Sequence, residues 1–227
     1  VKRDGLHFGE TTIPVYGMAA DHAEFLVTYY TPEGGRILDP FMGRATNGFA
    51  CLEHGREFIG YDVFDKNVNR TQQVMDEYYP DSAFQLFHSD GTELDELKDK
   101  SEYLDAVVTD PPYFLKAEKY SSDGRDLSSM SHEDYMDRIS NCFKQLYRLI
   151  KTSKFDEKIF YPVIFKVSHQ RRGTQGIVDM DMEFQRVAHD CGFVTWDKLF
   201  NKLHSPWGTV NWAVSYTHLT LPTTTIV

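Results

Sequence analysis

Directly after the apolar run Leu104–Thr109 (LDAVVT) stands Asp110-Pro111-Pro112-Tyr113, four residues whose types could act together on a weakly nucleophilic amine. The exocyclic amine of adenine or cytosine attacks poorly because its lone pair is delocalised into the ring. An Asp carboxylate and a backbone carbonyl, each accepting one amine hydrogen, would draw that nitrogen toward a tetrahedral and more nucleophilic state. Two successive prolines stiffen the loop and remove competing N–H donors. The ring of Tyr113 offers a face on which a base flipped out of a duplex can stack. Asp-Pro-Pro-Tyr is also good turn chemistry, so the tetrapeptide alone leaves an ordinary turn as the competing reading.

Upstream, Ile37-Leu38-Asp39-Pro40-Phe41-Met42-Gly43-Arg44-Ala45-Thr46-Asn47 reads as a strand that ends in an acid and turns through glycine into a helix. The crevice at the carboxyl end of a parallel strand is where such folds bind ligands, and the N–H groups opening the next helix suit a carboxylate. About 20 residues on, Phe58-Ile59-Gly60-Tyr61-Asp62 puts an acid at the next strand end, placed to accept hydrogen bonds from ribose hydroxyls. Asp90, after the strand Ala83–Phe87, adds a third polar strand end in the same row. This spacing suits an adenosyl cofactor and equally NAD, but the first turn lacks the G-x-G-x-x-G spacing of a dinucleotide site.

The elements that must position these residues alternate in type. Apolar runs at Arg36–Leu38, Phe58–Tyr61, Ala83–Phe87, Leu104–Thr109, Ile159–Phe165 and Phe193–Trp196 predict strands. Helical spacing predicts helices over Met18–Tyr30, Thr46–His54, Lys66–Tyr79, Glu133–Ile150 and Met182–Asp190. The clearest is Glu133–Ile150, where Tyr135, Ile139, Phe143, Leu146 and Ile150 recur every three or four residues behind a capping Ser131. Ser121–Ser131 has the composition of a mobile loop. Repeated strand-then-helix order predicts an α/β domain built on a mostly parallel sheet covered on both faces.

In these motifs the chain resembles the amino-methylating DNA methyltransferases, which act on N6 of adenine or N4 of cytosine. The family's cofactor motif is matched by Asp39–Asn47 and its Asp-Pro-Pro-Tyr motif by Asp110–Tyr113; the resemblance spans roughly residues 12–212. It implies a Rossmann-like, doubly wound sheet of the S-adenosylmethionine-dependent methyltransferase type. On this reading Asp39, Pro40, Phe41, Gly43, Thr46 and Asn47 hold the methionine portion of S-adenosylmethionine, Asp62 the ribose and Asp90 the adenine. Asp110 and Pro111 hold the target amine, with Pro112 and Tyr113 completing the catalytic loop. Arg44-Ala45 stands where the family usually has Ser-Gly, which makes the turn bulkier and its backbone less free. Asp at position 110 tilts the implied target toward adenine N6 in DNA; cytosine N4, an RNA amine, and a non-catalytic cofactor- or DNA-binding module are the alternatives. Restriction, regulation and phage self-protection would all use the same site.

The 227 residues, 41% hydrophobic, suit one catalytic domain, expected over residues 1–213. Residues 214–224 (VSYTHLTLPTT) resemble the translation of a transposon-end sequencing adapter, so residues 214–227 are expected to be an artefactual tail. No apolar run approaches the roughly 20 residues of a membrane span. Three separated cysteines fit a reducing cytoplasm. No metal site is expected, since Cys51 and His54 alone are two ligands and Cys51 reads as core. The net charge of -10 is uneven: residues 1–113 carry 9 basic and 21 acidic side chains, the remainder 15 and 13, a net of +2. A nucleic acid is therefore expected to meet the second half.

Overall fold

The computed structural model describes residues 6–8, 11–13, 20–112, 124–168, 170–171, 177–203 and 212–220. After a short hairpin, β1 (Leu6–Phe8) and β2 (Thr11–Ile13), come α1 (Ala20–Tyr30), β3 (Arg36–Asp39), α2 (Thr46–Glu53) and β4 (Glu57–Asp62). There follow α3 (Asp65–Tyr78), β5 (Phe84–His88), β6 (Ala106–Thr109), α4 (His132–Leu149) and β7 (Val163–Ser168). A second small hairpin, β8 (Gln170–Arg171) and β9 (Ile177–Val178), precedes α5 (Met180–Asp190), β10 (Val194–Leu203) and β11 (Trp212–Thr220). The main sheet runs β10-β11-β7-β6-β3-β4-β5, with β5, β4, β3, β6 and β7 parallel and β11 antiparallel to both its neighbours. The expected doubly wound, Rossmann-like sheet is therefore observed.

Burial explains the pairing. β6 (AVVT) is buried at all four positions, as a central parallel strand covered on both faces must be. Alternate residues enter opposite cores. Leu38, Val107, Val163 and Phe165 join Ile139, Phe143 and Leu146 of α4 and Phe184 of α5. Ile37, Ala106, Val108 and Ile164 join Leu26 of α1, Phe49 of α2 and Met75 of α3. The chain runs outward from β3 to β5 and then returns to place β6 on the other side of β3. That reversal opens a crevice between the carboxyl ends of β3 and β6.

Helix α4 starts one residue before its expected position, with the Ser131 hydroxyl accepting from the Asp134 N–H at 3.1 Å. The strand expected over Ile159–Phe165 instead begins at Val163 and runs to Ser168. Ile159 is spent on an antiparallel bridge to Lys154, and Pro162 contributes only its carbonyl, accepting from Val107 N–H at 2.9 Å. Asp126–Ser128, in the stretch with mobile-loop composition, are buried. The Asp126 carboxylate caps a 3-10 turn there by accepting from Ser128 N–H at 3.0 Å, and Leu127 reaches the α4 core. Residues 214–220, set aside as adapter-like, supply most of β11. Val214, Tyr216 and Thr217 are good strand formers, and backbone pairing asks little of side-chain identity.

Candidate active site

Three acids stand at successive strand ends. Asp39, 2% exposed at the end of β3, accepts from Phe41 N–H at 3.0 Å, Asn47 Nδ2 at 2.9 Å and Thr109 Oγ1 at 2.6 Å. Asn47 Nδ2 also donates to the Val108 carbonyl at 3.1 Å, so this one cluster staples β3, β6 and α2 together. Burial, with a smaller push from the charge of Asp110, raises the Asp39 carboxyl to about 6 against the pull of its three donors. At the end of β4, Asp62 accepts from Phe64 N–H at 2.7 Å and Asn67 Nδ2 at 3.1 Å; burial again raises its pKa. After β5, Asp90 accepts from Thr92 N–H at 2.8 Å and Thr92 Oγ1 at 2.7 Å.

The turn between β3 and α2 is open and leaves the start of the helix without a side-chain cap. Gly43 has φ 53° and no atom within 4 Å of where a Cβ would stand. Ala45, the N-cap of α2, also lies in the left-handed region at φ 56° and has no side-chain cap. This is the position where the family favours glycine, and the backbone conformation shows why. The first-turn N–H groups of α2 suit a carboxylate supplied by a ligand. Met42 N–H donates to the Tyr61 carbonyl at 2.9 Å, tying the turn to β4. Gly91 closes the floor: a Cβ there would stand 1.8 Å from the Pro40 carbonyl oxygen. The Asp90 loop is thereby pressed against the Asp39 turn.

One side of α4 holds both loops. Arg138 pairs with Glu93 at 2.6 Å and lies 3.5 Å from Asp90, while Asn141 donates to the Thr92 carbonyl at 2.9 Å. One helical turn earlier, the Tyr135 hydroxyl donates to the Pro112 carbonyl at 3.0 Å. Asp110 itself forms an ion pair of 2.6 Å with Lys166 of β7.

The structure thus gathers Asp39, Pro40, Phe41, Gly43, Thr46, Asn47, Asp62, Asp90, Asp110, Pro111 and Pro112 along the carboxyl ends of β3, β4, β5 and β6. Tyr113 lies outside the described residues. Cys51 is fully buried in the core, and His54 pairs with Glu24 at 2.9 Å. Among the described residues no group of three or more His, Cys, Asp or Glu could hold a metal, and no helix is long and apolar enough to cross a membrane. Sequence reasoning missed Thr109, Arg138, Asn141 and Lys166. For Lys166 a signal existed, a lysine inside an otherwise apolar run, but its partner is 56 residues away.

Comparison with known proteins agrees with this geometry. A family model described as DNA methylase matches residues 17–73, a stretch that includes α1, the Asp39 turn, α2 and Asp62. Over 129 residues the chain is 30% identical to the tRNA (guanine(10)-N2)-dimethyltransferase of Methanothermobacter thermautotrophicus, a match covering 55% of this chain and 37% of that protein. The chain therefore spans little more than a third of that relative's length. A TehB-like SAM-dependent methyltransferase from Corynebacterium glutamicum superposes with a TM-score of 0.56 at 15% identity, over 88% of this chain and 87% of that one. The cyclase SpnF superposes with a TM-score of 0.64 at 12% identity, over 96% and 86%, so the fold by itself does not fix the reaction. The methylase signature across the first strand-to-helix turn, together with a Rossmann-like fold shared with S-adenosylmethionine-dependent methyltransferases, makes the chain similar to the amino-methylating methyltransferases.

Proposed function

We propose that the protein transfers a methyl group from S-adenosylmethionine to the exocyclic amine of a nucleic-acid base, with adenine N6 in DNA as the first candidate. The observation that carries this reading is the Asp110 carboxylate at the end of β6, beside the glycine turn that follows β3. The residues fit the cofactor. The uncapped start of α2 and the open space at Gly43 suit its methionine carboxylate, and the partly exposed Asp62 suits its ribose. Asp39 and Asp90 act mainly by shaping their loops, because their oxygens are already engaged by the protein's own donors. When bound, the cofactor supplies a methyl group on a positively charged sulfur that departs as a neutral thioether. Asp110 accepts one amine hydrogen, orients the nitrogen for in-line attack and lowers the cost of the proton it sheds.

A second reading, an amine on RNA such as guanine N2, is favoured by the relative that acts on tRNA. The charge asymmetry supports either nucleic acid, since the half that follows the catalytic motif carries a net of +2. The test is incubation with mixed-sequence DNA and, separately, with total RNA, in labelled S-adenosylmethionine, followed by nuclease digestion and mass spectrometry. N6-methyladenine from DNA is the expected product. N4-methylcytosine, or N2-methylguanine from RNA, would keep the chemistry and change the substrate; no methylated base from either would leave a binding module as the better account.

A further inference from the structure

The β6–β7 register aligns Thr109 with Phe165, which brings Asp110 and Lys166 side by side at the mouth of the crevice. Lys166 Nζ lies 2.6 Å from Asp110 Oδ2, and the lysine is only 9% exposed. Its strand neighbours Phe165 and Val167 lie in the core, so this is an ammonium group within a buried strand. Stability does not explain such a pair, because desolvating the two charges costs about as much as their attraction returns, and a hydrophobic pair would serve as well. The crevice does explain it. Asp39, from β3, is a second carboxylate whose charge reaches Asp110, while Tyr135, from α4, engages the Pro112 carbonyl and adds no charge. Two neighbouring carboxylates shielded from water push each other toward protonation. A protonated Asp110 would present a donor where the target amine needs an acceptor.

We propose that Lys166 is a positioning residue that keeps Asp110 ionised and fixes the orientation of its carboxylate toward the target amine. The inference rests on the reading of Asp110 as that amine's acceptor. Lys166 itself touches neither base nor cofactor; it acts through Asp110.

Carbon-13 NMR of the aspartate side-chain carboxyls tests the pair without requiring activity, with the Asp110 signal identified by its loss in Asp110→Asn. In Lys166→Met the Asp110 titration midpoint should rise by at least about one pH unit, and in Lys166→Arg it should stay near the wild-type value. The acid limb of the methyl-transfer pH profile should move in the same direction in Lys166→Met and be restored by Lys166→Arg, while S-adenosylhomocysteine affinity stays unchanged. An unmoved carboxyl midpoint, or a moved midpoint with an unmoved acid limb, overturns the proposal. Should Lys166→Met fail to fold, the wild-type titration decides: Asp110 must titrate below Asp39, and the reverse order overturns the proposal. Absence of methyl transfer by the wild type to either nucleic acid would instead sink the functional reading, with the carboxyl titration still reporting on the pair.

Discussion

The acids along the crevice are held in two different ways. Asp39, Asp62 and Asp90 each accept a hydrogen bond from the backbone N–H two residues on, at Phe41, Phe64 and Thr92, at 3.0, 2.7 and 2.8 Å. This is one local device repeated at three strand ends, an Asx turn that any short sequence window can encode. Asp110 cannot make it, because the residue two places on is Pro112 and the one between is Pro111, and neither has an N–H. Its carboxylate therefore accepts nothing from the next two backbone positions, and it pairs with Lys166, 56 residues away. Three acids close the turns that follow their own strands, whereas Asp110, for which we propose the substrate-facing role, is paired from a neighbouring strand.

The strongest break of this contrast is Asp110→Asn, which keeps an acceptor for Lys166 but removes the charge that, in the proposed function, draws on the amine. Methyl transfer should fall by at least about 100-fold while S-adenosylhomocysteine affinity, measured by calorimetry, stays within about twofold.

On the loop-shaping side, Gly91→Ala drives a methyl group into the Pro40 carbonyl, where the ideal contact would be 1.8 Å. Backbone must move on both sides, so urea unfolding should show a loss of about 3 kcal/mol, and cofactor affinity should fall with it. Normal stability in this variant would mean that the Asp90 loop is not pressed against the Asp39 turn.

Asp39 offers a comparable effect in pH. Its folded-state pKa, about 6, lies above the ordinary 3.8, so the native state holds the proton more tightly than the unfolded chain. The resulting stabilisation is fully present below about pH 4 and is lost as pH rises through about 6, an amount of roughly 3 kcal/mol. Asp39→Asn should flatten that part of the stability-against-pH curve, and unfolding curves for both proteins between pH 4 and 7 would show it. Parallel slopes would place the carboxyl's titration elsewhere.

Pro112→Ala restores an N–H at the position that would complete an Asx turn with Asp110. Local capture is worth about 1 kcal/mol, so methyl transfer should drop roughly fivefold with little change in the thermal midpoint. The smallest effect is expected at Ala45, where φ 56° costs a non-glycine residue and Ala45→Gly should relieve it. Unfolding measurements should show a gain of about 0.5 to 1 kcal/mol, part of the relief being offset by the added freedom of the unfolded chain.

Much of this arrangement is written in short windows of the sequence. The strand-to-acid-to-helix turns at Asp39 and Asp62, the buried run ending at Thr109, the paired prolines and the apolar stripe of α4 all follow from spacing over fewer than 20 residues. The start of β7 was misjudged because apolar content reports burial and cannot distinguish strand from the bridge and proline that precede it. What the tertiary structure alone decided is which distant groups meet. The register of β6 on β7 places Lys166 beside Asp110, one side of α4 sets Arg138 and Tyr135 against two separate loops, and Gly91 closes on Pro40 across 51 residues of chain. Local hydrogen bonds depend on adjacent backbone and are therefore legible from the chain. Contacts between elements depend on strand order and register, which are settled by how two cores fill on opposite faces of one sheet.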